Sequence, residues 1–79
     1  MQREEIQEKI RQILVSVLKH ERFTMRDDLA AGDVDGWNSL THMMLISEVE
    51  AGFSIKFKLK DLNKMRNIGD MIEMIISKL

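Results

Sequence analysis

Residues 53–60, FSIKFKLK, alternate apolar and polar side chains, and a period of two is the pattern of a half-buried strand. Whether these residues form one decides between a chain with a sheet and a chain built only of helices. No other segment offers a second strand, and a lone strand leaves its backbone N–H and C=O groups unsatisfied. The alternation is therefore read as a helix end followed by a short helix over 59–65.

Immediately before it, residues 39–52 predict a helix with Gly52 as its C-terminal cap. At 100° per residue, Leu45, Ile46, Val49 and Phe53 share an arc of about 100°, an ordinary core face. Leu40, Met43 and Met44 fall on the opposite side. Two readings are open for these three: an adaptable docking surface, or packing beneath a neighbouring loop.

Further out the helical period returns at both ends. Ile6, Ile10, Ile13, Leu14, Val17 and Leu18 recur at spacings of three and four, predicting an amphipathic helix over 3–19. Ile68, Met71, Ile72, Ile75, Ile76 and Leu79 repeat the stripe, with Asn67 as N-cap and Asp70 in the first turn. Between the first two helices, residues 20–38 lose the period and carry Gly32, Gly36 and several Asp, marking a loop that Phe23, Leu29 and Trp37 pin to the core. The expected fold is all-α: a small four-helix bundle of three long helices and one short one, in a single domain over 1–79.

Composition narrows the function. With 79 residues the chain sits near the size where one core yields roughly 3 to 5 kcal/mol of net stability, too small for a large buried active site. The absence of cysteine removes disulfides, thiolate nucleophiles and thiolate metal sites. A net charge of −1 provides no overall footprint for nucleic acid. No window approaches the roughly 18 apolar residues of a membrane span, and MQREEIQEKI lacks the apolar core of a secretory signal, so a soluble cytoplasmic protein is expected. The charge is nonetheless segregated. Residues 27–55 hold six acids and no Lys or Arg, whereas 56–66 hold five bases and one acid.

Candidate chemistries fail one by one. Ser39 and His42 are three apart on one helix, but GWNSL is not a G-x-S-x-G elbow, and His42 reads as a polar residue at the edge of the core. His20 and His42 lie on different elements without metal-ligand spacing. The acids at 27–28 and 33–35 lack the spacing of a calcium loop, and there is no glycine-rich phosphate loop. One Phe among the lysines of KFKLKDLNKMR is too little for a stacking platform. Locally, Ser39 reads as a helix cap.

The order of elements resembles the acyl carrier proteins over essentially the whole chain. GWNSL is similar to the family's Asp-Ser-Leu attachment motif at the start of the second helix, and EVEAGFSIKF to its E-x-x-F-x-x-x-[IF] continuation. The resemblance implies that a phosphopantetheinyl transferase attaches the 4′-phosphopantetheine of coenzyme A to Ser39, flanked by Asn38 and Leu40. It implies a non-catalytic, monomeric carrier of acyl thioesters in fatty acid or polyketide biosynthesis. Its partners would be acyl-loading and acyl-transferring enzymes such as a ligase, ketosynthase or acyltransferase. The thiol that the chain lacks would arrive with the prosthetic group. Docking would fall to Leu40, Met43, Met44 and Glu50, and acyl cargo to a cleft lined by Leu45, Ile46, Ile55, Leu62 and Ile68 with His42 at its mouth; in the unloaded protein those residues are expected to fill the core. Asn38 stands where the family usually has Asp, the second helix has few acids and the third carries lysines, which points to a specialised rather than a housekeeping member. The competing reading is a helical adaptor whose Met face grips a partner, with Ser39 only a cap.

Overall fold

The computed structural model describes residues 2–79, and in it the first helix, α1, spans Arg3–Leu18. The helix α2 spans Ser39–Phe53, α3 Leu59–Leu62 and α4 Ile68–Lys78, with a short 3-10 turn at Ala31–Asp33. The all-α architecture of three long helices and one short one is as expected. α1 packs on both α2 and α4. Their facing stripes meet in one core that includes Ile6, Ile10, Leu14, Leu45, Val49, Ile68, Ile72 and Ile75, all fully buried.

The FSIKFKLK segment is not a strand. Phe53 closes α2, Ser54 takes the left-handed conformation at φ 56°, and helix resumes at Leu59. Burial fades along the apolar positions: Phe53 and Ile55 are buried, Phe57 is half-buried and Leu59 is 80% exposed. A sheet face would have kept all four in register. α3 is also shorter than the expected 59–65, ending at Leu62.

Two helix ends differ from expectation. Gly52 does not terminate α2; it lies inside the last turn, and Ser54 is the left-handed residue. The Ile55 N–H donates back to the Glu50 carbonyl at 3.1 Å, and Lys9 Nζ of α1 donates to the Gly52 carbonyl at 2.6 Å. A cation from the neighbouring helix thus satisfies a carbonyl that the helix itself cannot. Ser39 is the first residue of α2 rather than its cap, because Asn38 takes that role.

The loop between α1 and α2 is fastened along its length. Leu29, Val34 and Trp37 are buried, and Phe23 packs against the core. The loop also receives the start of α4: Ile68 N–H donates to the Leu29 carbonyl at 2.9 Å and Gly69 N–H to the Asp27 carbonyl at 2.8 Å. Asn67 caps α4 as predicted, accepting from Asp70 N–H at 2.8 Å.

Candidate functional site

The site grows from the capping of α2. Asn38 Oδ1 accepts from Thr41 N–H at 3.1 Å, and Thr41 Oγ1 accepts from Asn38 N–H at 2.8 Å. This reciprocal pair is a capping box in which Thr stands in the place usually held by Glu or Gln. Thr41 Oγ1 also donates to the Gly36 carbonyl at 2.7 Å, tying the box to the preceding turn. Ser39 is thereby released from the duty that its position suggested. It is exposed, and among the described residues no hydrogen bond engages its hydroxyl. With Thr41 N–H held by Asn38 Oδ1 and His42 N–H by the Asn38 carbonyl at 2.8 Å, the N–H groups of Ser39 and Leu40 are left for an outside acceptor.

No carboxylate lines the immediate surroundings of Ser39. The first turn of α2 contains no acid. An open depression of about 510 Å³ adjoins Ser39, lined by Ala31, Asn38, His42, Met43, Met65 and Arg66. A helix start with free N–H groups, a neutral cap and a nearby guanidinium is suited to an anion on the Ser39 oxygen.

Among the described residues no hydrogen bond joins His42 to Ser39. The His42 Nδ1 accepts from Trp37 Nε1–H at 3.0 Å, and the two rings lie within 18° of parallel. That bond fixes the neutral tautomer with the proton on Nε2, and burial lowers the imidazole pKa from its ordinary value. His42 is a half-buried fastener between the loop and α2, while its ring also edges the depression.

The other predicted residues separate into groups. Leu40, Met43 and Met44 are exposed at 71%, 53% and 47%, forming an apolar outer face on α2. Packing beneath the loop is thus not their role. Glu50 is half-buried, and its carboxylate accepts from Phe57 N–H at 2.8 Å, steering the chain from α2 toward α3. Leu45, Ile46, Ile55 and Ile68 are buried in the common core and Leu62 packs against it. Their bulk closes the interior between the helices, so of the cleft candidates only His42 faces the opening at Ser39.

Sequence reasoning missed Ala31, Thr41, Met65 and Arg66 as neighbours of this site. The N-x-x-T spacing from Asn38 to Thr41 was the available signal for the capping box. Ala31, Met65 and Arg66 reach Ser39 only through tertiary packing.

No protein-family model matches the chain, and no curated protein does. Among solved structures, the solution NMR structure of a holo acyl carrier protein from Geobacter metallireducens is 32% identical, with a TM-score of 0.85 over 92% of this chain and 84% of that one. With nearly the whole of this chain covered at that identity, this chain belongs to the acyl carrier protein family.

Proposed function

We propose that Ser39 carries the 4′-phosphopantetheine arm on which this acyl carrier protein bears its cargo. The observation that carries the reading is the release of Ser39: at the first position of α2, with Asn38 and Thr41 doing the capping, its hydroxyl is exposed and unengaged. A phosphopantetheinyl transferase would supply the base that takes the hydroxyl proton, so the chain needs none of its own. When bound, the group contributes the thiol that forms acyl thioesters. The Ser39 and Leu40 N–H groups and the α2 dipole stabilise the phosphodiester charge.

Asn38 fits this role despite replacing the family's usual Asp. Its amide oxygen retains the cap while removing a negative charge beside the phosphate. Leu40, Met43 and Met44 support docking through apolar contact with the transferase and with a ligase, ketosynthase or acyltransferase. On this reading the protein is a specialised carrier, monomeric and cytoplasmic, whose partner binding tolerates salt and is weakened by Met44→Glu.

The test is incubation with coenzyme A, magnesium and a broad-specificity phosphopantetheinyl transferase, followed by intact and peptide mass spectrometry. One phosphopantetheine on the Ser39 peptide of wild type, and none on Ser39→Ala, is expected. A folded wild-type protein left unmodified by two such transferases would overturn the assignment.

A further inference from the structure

We propose that Arg66 holds the phosphodiester of the Ser39-linked arm and seats the arm in the depression beside α2. The inference rests on Ser39 as the attachment residue. Arg66 contributes the cationic side chain lining that depression, and Ser39 lines it too. A phosphate on the Ser39 oxygen therefore enters a space that Arg66 borders, within reach of a guanidinium that turns toward it.

The local charge favours the contact. The first turn of α2 has no acid, Asn38 is neutral, and the Trp37 indole N–H pointed at Nδ1 keeps His42 neutral. The acid that competes for Arg66 is Asp70, whose Oδ2 accepts from Arg66 Nε at 3.3 Å and from Arg66 N–H, also at 3.3 Å. Both are long for charge-assisted hydrogen bonds. They engage one of the five guanidinium N–H donors and leave the terminal fork, four N–H groups in a plane, for the phosphate oxygens. With its side chain 82% exposed, Arg66 is free to turn without disturbing the core.

Beyond the phosphate, the rest of the depression suits the next portion of the arm. That pantoate portion carries two methyl groups, and Met43, Met65 and Ala31 present apolar surface there. Met65 is buried and forms a fixed floor, whereas Met43 is half-exposed and able to adapt as a wall. The seat binds the arm itself, independently of the acyl cargo.

The test uses the full chain loaded with unacylated phosphopantetheine, as wild type, Arg66→Lys and Arg66→Ala, each checked for loading by intact mass. Phosphorus-31 NMR reads the phosphodiester, and the NOE between the Met65 methyl and the arm's geminal methyls reads seating. Arg66→Ala is expected to shift the phosphorus resonance toward that of a phosphopantetheinylated Ser peptide and to lower the NOE about two- to fivefold, the range of an exposed charge pair. Arg66→Lys, keeping charge without the fork, should fall between. Identical phosphorus shifts and NOEs in three loaded proteins would overturn the proposal. So would loading of wild type but not Arg66→Ala, which would assign the residue to the transferase encounter. Failure of all three to load would instead overturn Ser39 as the attachment residue, and this inference with it.

Discussion

The Trp37 indole N–H donates to His42 Nδ1 at 3.0 Å, joining the last residues of the long loop to the first turn of α2 beside Ser39. The bond exists only while the imidazole is neutral, because a protonated ring would present an N–H to another N–H. Burial lowers the folded His42 pKa below its ordinary value of 6.5. A depressed value means that the unfolded chain binds the proton more readily, so stability rises with pH across this window. The contribution is complete above 6.5 and is lost as pH falls from there through the folded value. Trp37 is the chain's one tryptophan, so its fluorescence reports this contact. On acidification the emission should change with a midpoint below 6.5, and His42→Gln should remove the transition.

The division of labour at the start of α2 yields a contrast between neighbours. Asn38→Ala removes the acceptor of Thr41 N–H and should cost about 1 kcal/mol, lowering the melting temperature by about 4–8 °C for a domain of this size. Ser39→Ala removes no bond and should leave the melting temperature unchanged. Thermal unfolding of the two variants side by side checks this; an equal loss in both would mean that Ser39 also caps the helix.

The buried face of α2 was legible because Leu45, Ile46, Val49 and Phe53 recur at helical spacing, and all four are buried. The outer face was legible as apolar, and the structure leaves Leu40, Met43 and Met44 exposed rather than packed beneath the loop. What failed was local punctuation. Ser39 and Gly52 are common terminal residues, but the ends of α2 are set by the Asn38–Thr41 pair and by Ser54. The second end depends on Lys9, 43 residues earlier in the chain, and no local pattern reveals such a partner. The same holds for Arg66 and Met65, which become neighbours of Ser39 when α4 docks on the loop.

Two glycines should respond oppositely to alanine. At Gly69 a Cβ would lie 3.1 Å from both the Asp27 Cβ and the Asp27 carbonyl oxygen, against the backbone that receives the Gly69 N–H. The loop must move, and Gly69→Ala should destabilise by about 1–3 kcal/mol. At Gly52 the new methyl would meet Lys9 Cε at 3.5 Å and Ile13 Cδ1 at 3.6 Å, ordinary contacts. Helix α2 would gain rigidity, and Gly52→Ala should stabilise by about 0.5–1 kcal/mol. Urea unfolding of both variants measures the signs.

The short helix α3 is held by one carboxylate. Asp61 is buried at 6% exposure, and its Oδ2 accepts from Lys58 N–H at 2.8 Å and lies 2.9 Å from Lys78 Nζ at the end of α4. The Lys58 N–H, and after it the Lys78 ammonium, hold the carboxyl pKa below its ordinary value of 3.8. The sign is that of an acid favoured in its charged form when folded: the stabilisation is present above 3.8 and is lost as pH falls from there through the folded value. Lys78→Met removes the second partner and should raise the Asp61 pKa, moving the onset of acid unfolding to higher pH. Asp61→Asn should abolish the ionisation and leave the Lys78 ammonium without its partner, so α3 should loosen at neutral pH as well. Carbon-13 titration of the Asp61 carboxyl, with amide exchange at Lys58 and Asp61 N–H, distinguishes the two variants. An Asp61 pKa unmoved by Lys78→Met would show that the Lys58 N–H alone fixes it.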